Sequence, residues 1–168
     1  MQVTRKRRIG TLVGGLAVAA LLSACGIEPA SGPPGCDAPS SPPDAVTSAV
    51  FNRVNSDRAG AGLPALAWNG QLYCLAADWS AQMAASGNLH HRDLNAVINS
   101  PEYRSYRTIG ENILRGSVSI SGVSMEDAWM NSPAHRDNIM STSFTSIGIA
   151  TAGSPDGQSV YATQNFGG

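Results

Sequence analysis

The sequence predicts an α+β domain in which helices come first and a pair of antiparallel strands comes last. Apolar residues recur at intervals of three and four in the first half of the chain, which is the periodicity of amphipathic helices. Towards the end, apolar and polar residues alternate, as they do in half-buried strands. Residues 44–168 are enough for one domain of this kind.

The first helix is predicted to begin at Asp44. This residue follows two prolines and has a side chain that can accept hydrogen bonds from the first helical N–H groups. Val46, Val50 and Val54 recur at a spacing of four and would lie on one face. Gly60 and Gly62 follow this stripe, and we expect the helix to end there.

Two further helices are indicated. One begins at Asn69 and ends at Gly87. Its apolar stripe consists of Leu72, Leu75, Ala76, Trp79 and Met83. The other is expected from about Ser124, whose side chain could cap it, to a far end near Pro133.

The tail is predicted to form a β-hairpin. Two alternating sets of residues lie there: Ile147, Ile149 and Thr151, and then Tyr161, Thr163 and Asn165. Between them, residues 154–157 read Ser-Pro-Asp-Gly, a typical turn sequence. The two strands would therefore pair in antiparallel fashion.

The N-terminal residues are typical of a secretory signal peptide. Residues 5–8 are all basic, and residues 9–22 carry no charge. The uncharged stretch is too short for a comfortable membrane span. We therefore expect residues 1–24 to be removed on export.

The signal ends in Leu22-Ser23-Ala24-Cys25, which resembles a bacterial lipobox. The resemblance implies cleavage before Cys25 and diacylation of that residue through a glyceryl group on its thiol, which would anchor the protein in the cell membrane with its domain facing outside the cytoplasm. An ordinary signal peptide with a cysteine near its cleavage site is the alternative. Residues 25–43 are rich in Pro, Ser and Gly and are predicted to be a tether.

The charge balance excludes one class of partner. Four of the 11 basic residues belong to the signal, so seven remain against 12 acids, a formal net charge of −5 for the mature chain. A protein with this balance lacks the basic surface that nucleic-acid binding requires. We expect no nucleic-acid partner.

Two cysteines, Cys36 and Cys74, remain besides Cys25. Outside the cytoplasm such a pair most simply forms a disulfide, which here would pin the tether to the domain. Two free or buried thiols are the alternative.

Three polar clusters stand out, at residues 89–91, 110–113 and 132–139. All three histidines of the chain, His90, His91 and His135, lie in the first and the last. Imidazole and carboxylate groups brought together form either a metal site or a proton-transfer pair. Spacing along the chain does not show that the clusters meet, and a histidine near a helix end is commonly a surface group.

With these clusters, the sequence resembles the bacterial branch of the CAP superfamily, which includes cysteine-rich secretory proteins, antigen 5 and plant pathogenesis-related class 1 proteins. The motifs are GENI at 110–113, WMNSPAHRDNI at 129–139 and TQNFG at 163–167. The resemblance covers residues 44–168. It implies an α-β-α sandwich with a central antiparallel sheet of three or slightly more strands flanked by helices.

The resemblance also implies a cleft where two histidines and two glutamates meet. Three of these positions carry over, to His91, Glu111 and His135. Some members of the superfamily hold a divalent metal ion there, and others bind a lipid or sterol. For this chain we expect His91 and His135 to be the metal ligands and zinc to be the ion.

The fourth position departs from the superfamily pattern. Ser132 stands where animal and plant members have the second glutamate. Glu126 lies on the same predicted helix, one turn before Trp129, and is not expected to fill the vacancy. His90 would take the place of His91 if the loop were shifted by one residue.

The expected function is a non-enzymatic, monomeric module at the cell surface that binds a small or hydrophobic ligand, such as a lipid or a cell-wall component. A metal-dependent hydrolase is the alternative, with His91 and His135 as ligands and Glu111 as general base. A serine hydrolase using Ser132 and His135 is disfavoured, because Ser132 precedes a proline and nothing resembles a nucleophile elbow.

Overall fold

The computed structural model of the protein describes residues 35–168. The predicted signal peptide (1–24), Cys25 and the tether up to residue 34 lie outside the described residues. Within this range no helix is both long enough and apolar enough to cross a membrane. The elements in chain order are α1 (Ala45–Gly60), β1 (Ala67–Trp68), α2 (Gly70–Ser86), α3 (Leu94–Ile98), β2 (Ile109–Ser117), α4 (Gly122–Met130), α5 (Pro133–Met140), β3 (Ser146–Gly153) and β4 (Ser159–Gly167).

The described strands form one sheet in the order β1-β3-β4-β2. The predicted hairpin is β3 and β4, and β4 also pairs with β2 in antiparallel register. The two-residue strand β1 adds to β3 in parallel. The fold is therefore the expected α+β arrangement with a central sheet flanked by helices, and β2 is an edge strand.

The two faces of the sheet pack against different helices. Successive residues of a strand point to opposite faces, so Val160, Ala162 and Phe166 of β4 join the core formed with α1, α4 and α5. Tyr161 and Thr163 face α2 on the other side, where the Ser80 hydroxyl donates to Thr163 Oγ1 at 2.8 Å. This division matters for the site, because consecutive side chains of β2 and β4 point into opposite helical layers.

The two long helices begin where the sequence predicts. The Asp44 carboxylate accepts hydrogen bonds from the N–H groups of Val46 and Thr47, and the Asn69 side chain accepts one from Leu72. Gly87 ends α2 in the left-handed conformation, with φ of 72°. These are local signals, and they determine both helices.

The prediction for the third helix is wrong at both ends. The helix begins at Gly122 with Ser121 as its cap, three residues before the predicted Ser124. Gly122 lies against α1, where a Cβ would come within 2.5 Å of the Val46 carbonyl oxygen, so this close contact requires glycine. Pro133 does not end that helix but begins a separate one, α5, at the position where proline is favoured.

The described part of the tether is fixed to the domain. A disulfide joins Cys36 to Cys74 of α2, as predicted, with a Cα–Cα distance of 5.8 Å. In addition, the Trp68 indole N–H donates to the Pro39 carbonyl at 3.0 Å. Residues 36–39 therefore pack on the domain, although they form no helix or strand.

Candidate functional site

The candidate site lies along the edge strand β2, where the loop after α2 reaches the sheet. His91 in this loop donates through Nδ1 to Glu111 Oε1 at 2.9 Å. The backbone N–H of Arg92 donates to the same oxygen at 3.1 Å. Glu111 therefore holds both the imidazole and the loop that carries it.

Glu111 is buried, whereas its partner is open to solvent. The side chain of Glu111 is 0% exposed and that of His91 is 58% exposed. Asn165, directly opposite on β4, places its amide nitrogen 3.5 Å from Glu111 Oε2. A carboxylate surrounded by donors in this way is a fixed acceptor, and it leaves His91 Nε2 as the free nitrogen of the ring.

His135 approaches β2 from the other side, on the first turn of α5. The Asn112 amide donates to the His135 carbonyl at 3.0 Å, which ties α5 to β2. The imidazole is half-buried. Burial lowers its pKa, and the nearby His91 lowers it further. His135 therefore lies within electrostatic reach of His91, and its neutral form is favoured.

A chain of hydrogen-bonded side-chain amides connects α5, β2 and β4 behind these residues. The Asn138 amide donates to the Glu111 carbonyl at 3.2 Å and to Asn112 Oδ1 at 2.9 Å. The Asn112 amide also donates to Gln164 Oε1 at 3.0 Å. Because Asn112 and Gln164 are paired across β2 and β4, one amide pair connects α5 to the interior of the domain.

Glu126 lies at the inner end of this chain. The Gln164 amide donates to Glu126 Oε2 at 2.6 Å, and the side chain of Glu126 is completely buried on α4. Burial raises its pKa from 4.5 to about 8, against the opposing effect of the hydrogen bond from Gln164. Glu126 thus reaches the layer opposite Glu111, and it does not occupy the place of the missing second glutamate.

The alternative histidine, His90, lies apart from this pair. Its ring packs edge-on against Trp79 with centroids 4.8 Å apart, and its carbonyl accepts from the Trp79 indole N–H at 2.9 Å. Its Nδ1 is near the Asn88 carbonyl at 3.3 Å. Of the two adjacent histidines, the structure brings His91 to Glu111 and leaves His90 on the surface.

The two predicted zinc ligands, His91 and His135, are not part of a larger group of metal-binding side chains among the described residues. Across residues 35–168, no three His, Cys, Asp or Glu side chains are grouped so that they could hold a metal ion. The residues available to a cation are the two imidazoles, because Glu111 is occupied by the hydrogen bonds described above. Such a donor set fits a weak divalent site that water would complete, and it does not fit a closed structural zinc site.

The contacts of several residues of the site could not be predicted from the sequence, although the residues themselves lie in the third helix, the motif at 129–139 and the final strand. Asn138, Asn165 and Glu126 show no signal of their own, since single polar residues on helices and strands are common. The alternating pattern of the strands was the one available indication, because it predicts that Gln164 and Asn165 face opposite layers. Which partner each of them meets depends on the pairing of β4 with β2.

Comparison with known proteins finds similar sequences and similar folds. A protein of Bacillus subtilis, the uncharacterized protein YkwD, is 41% identical over 63 residues, which are 38% of this chain and 23% of that relative. An extracellular protein with an SCP domain from Bacillus anthracis has a TM-score of 0.55 at 29% identity, over 70% of this chain and 38% of that one. This chain therefore spans well under half of both relatives.

An outer surface protein of Borrelia burgdorferi shares the fold over most of its length. The TM-score is 0.60 at 18% identity, covering 70% of this chain and 88% of the other. The profile of the CAP family, described as the cysteine-rich secretory protein family, matches residues 51–166. Because this match includes nearly the whole described domain and the three segments that carry His91, Glu111 and His135, the chain belongs to the CAP family.

Proposed function

We propose that this protein is an exported, membrane-anchored CAP module that binds a small or hydrophobic ligand in a cleft at His91 and His135, with Glu111 buried behind His91. The proposal assigns binding, without turnover, to the cleft. Lipids and cell-wall components are the ligand classes that suit a protein held at the cell envelope.

The observation that carries the proposal is the His91–Glu111 pair. A fully buried carboxylate holds an imidazole that is more than half exposed, at 2.9 Å. A buried carboxylate without a partner would destabilise the fold, so this pairing is structurally favourable as well. It presents one ring nitrogen in a fixed orientation within electrostatic reach of His135, and convergent polar groups of this kind orient a bound ligand.

Hydrolysis is the less favoured function because Glu111 is buried and already hydrogen-bonded. A general base must reach the proton of an attacking water molecule. Glu111 Oε1 already accepts two hydrogen bonds, from His91 and Arg92, and the carboxylate has no exposed surface. Ser132 offers no alternative nucleophile, since it precedes Pro133 at the beginning of α5.

A divalent metal ion would be held by His91 and His135. When bound, it would supply a positive centre for an anionic or carbonyl group of a ligand. Glu111 would orient His91 from behind, an arrangement that is common around metal-bound imidazoles. With two protein ligands, the affinity is expected in the micromolar range or weaker, on the order of 8 kcal/mol or less.

Calorimetric titration with zinc tests the metal site. We expect the wild type to bind one ion, and His91→Ala or His135→Ala to abolish binding, because each removes one of two ligands. His90→Ala is the matched control and should bind like the wild type. Loss of the ion in the His90 variant alone would shift the site by one residue, and a wild type that takes up no zinc at neutral pH would exclude the metal.

Native mass spectrometry of the full chain, extracted from membranes in detergent, tests ligand binding. We expect the wild type to carry an additional mass, and His91→Ala to carry less of it than His90→Ala. Recovery of hydrolysis products of the same compound would support the hydrolase instead. A wild type without any bound compound, at every detergent concentration, would contradict the proposal.

The anchor is proposed from Cys25 and from the locations that the names of the relatives state, which are outer surface and extracellular. We expect Cys25→Ser to abolish membrane association, because the thiol that would be acylated is gone. Ser31→Ala, a change in the same tether, is the control. Partition of the Cys25 variant into the detergent phase, as for the wild type, would refute lipid anchoring.

A further inference from the structure

A cavity of about 590 Å³ lies between α2, α3 and the turns that follow α3. It is distinct from the cleft, because none of His91, Glu111 and His135 lines it. A volume of this size is sufficient for a small organic molecule.

The apolar walls of the cavity come from both sides. Leu75 and Trp79 lie one turn apart on α2, and Val97 of α3 and Tyr103 face them. Tyr103 is 5% exposed, and its hydroxyl donates to the Gln71 carbonyl at 3.3 Å. The walls are therefore held in place by the fold, and two of them are aromatic.

The one cation in the lining is already neutralised. The Arg92 guanidinium is paired with Asp78, and its central carbon lies 4.7 Å from the centre of the Trp79 ring. The side chain of Arg92 is 15% exposed. An anionic ligand would have to compete with Asp78 for this group.

Two further carboxylates of the lining have no cationic partner. Within residues 35–168 no Lys, Arg or His nitrogen lies within ion-pairing distance of Asp93 or Glu102. Asp93 caps α3 through Asn95 and Ala96, and both carboxylates are on exposed residues. At neutral pH the cavity therefore carries three carboxylates and one guanidinium, a net charge of −2 from its lining.

We propose that this cavity binds an amphipathic organic cation, a compact apolar group that carries an amine or quaternary ammonium head. The apolar part would fill the space between Trp79 and Tyr103, and the head would lie towards Glu102 and Asp93. Aromatic faces attract cations electrostatically, and Arg92 over Trp79 is an internal example. This site goes beyond the function proposed for the cleft and does not depend on it.

The cavity and the cleft share a loop. His91 of this loop contacts Glu111, whereas its neighbour Arg92 pairs with Asp78 beside the cavity. The two sites can therefore be told apart by NMR. A ligand in the cavity should shift the resonances of Trp79, and a ligand in the cleft should shift those of His91.

Three probes with one apolar body test the proposal: 3-phenylpropylamine, 3-phenylpropanol and 3-phenylpropionate. The full chain is titrated with each, and the Trp79 indole N–H and the histidine resonances are followed by NMR. We expect the amine to bind about five-fold more tightly than the alcohol, from an exposed ion pair worth about 1 kcal/mol. The carboxylate should bind more weakly than the alcohol.

Variants separate the charge from the cavity. Glu102→Gln should reduce the advantage of the amine over the alcohol to about two-fold, whereas Asp137→Asn, an exposed acid outside the lining, should leave it unchanged. Ala96→Phe, which fills the cavity from α3, should weaken all three probes. Any of four results would overturn the proposal. The amine and the alcohol could bind equally, or the carboxylate could bind most tightly. The resonances of His91 could shift without those of Trp79, or the amine could fail to bind at about 10 mM.

Discussion

Glu126→Gln is expected to make the protein more stable at alkaline pH. In the folded protein this carboxyl group is completely buried, and its Oε1 has no hydrogen-bond partner among the described residues. Burial raises its pKa from 4.5 to about 8. The folded state therefore keeps a proton that the unfolded chain releases above pH 4.5.

The magnitude follows from this difference in pKa. Because the folded-state pKa is the higher one, the stability that the neutral group contributes is complete below pH 4.5 and is lost as the pH rises through about 8. At about 1.4 kcal/mol for each pH unit, the loss is on the order of 5 kcal/mol. Glutamine cannot ionise and can still accept the hydrogen bond from Gln164, so the variant should not show this loss.

Urea unfolding between pH 5 and pH 9 measures the effect. The free energy of unfolding of the wild type should fall over this range by more than that of Glu126→Gln, while histidine titration affects both proteins equally. Asp127→Asn is the matched control, since its exposed carboxylate pairs with Arg53 at 3.2 Å and should leave the wild-type dependence in place. If Glu126→Gln loses stability as steeply as the wild type, the carboxyl group is not kept neutral by burial.

Two other predictions concern stability. Replacing both Cys36 and Cys74 by serine should lower the free energy of unfolding by about 3 to 4 kcal/mol, because the disulfide closes a long loop; denaturant unfolding with and without reductant checks this, and equal midpoints for variant and wild type would contradict it. Gly148→Ala should destabilise the protein by about 3 kcal/mol or more, because a Cβ there would come within 2.0 Å of the backbone of α2. Gly153→Ala on the same strand, where a Cβ meets nothing within 4 Å, is its control in thermal unfolding, and similar midpoints for the two would show that α2 can move away.

The local features of the fold were predictable. Asp44, Asn69 and Gly87 mark helix ends through hydrogen bonds and conformations that involve a few neighbouring residues. The alternation in the last two strands indicated their extended backbone, although it suggested half-buried strands and both faces of β4 are in fact buried, one against α2 and the other in the core with α1, α4 and α5. The start of α4 was not predicted, because a glycine is not a usual first residue of a helix. Gly122 is required there by its close contact with α1, which is remote in sequence.

The site was predictable in part. The family motifs indicated His91, Glu111 and His135, but the residues alone left open whether their segments meet. Contact between His91 and Glu111 spans 20 residues and depends on the loop that returns α2 to the edge of the sheet. The same contact distinguishes His91 from His90, which neighbours it in sequence and has the same chemistry.

By itself, the sequence determined the two long helices, the final hairpin and the family, and it favoured a disulfide between the two cysteines. Only the tertiary structure decided that Glu126 is buried behind Gln164 and Asn112, and that Glu111 is enclosed by donors. The physical reason is the range of the interactions. Caps and periodicity act within a few residues, whereas the surroundings of a carboxyl group are set by whichever strands and helices pack around it.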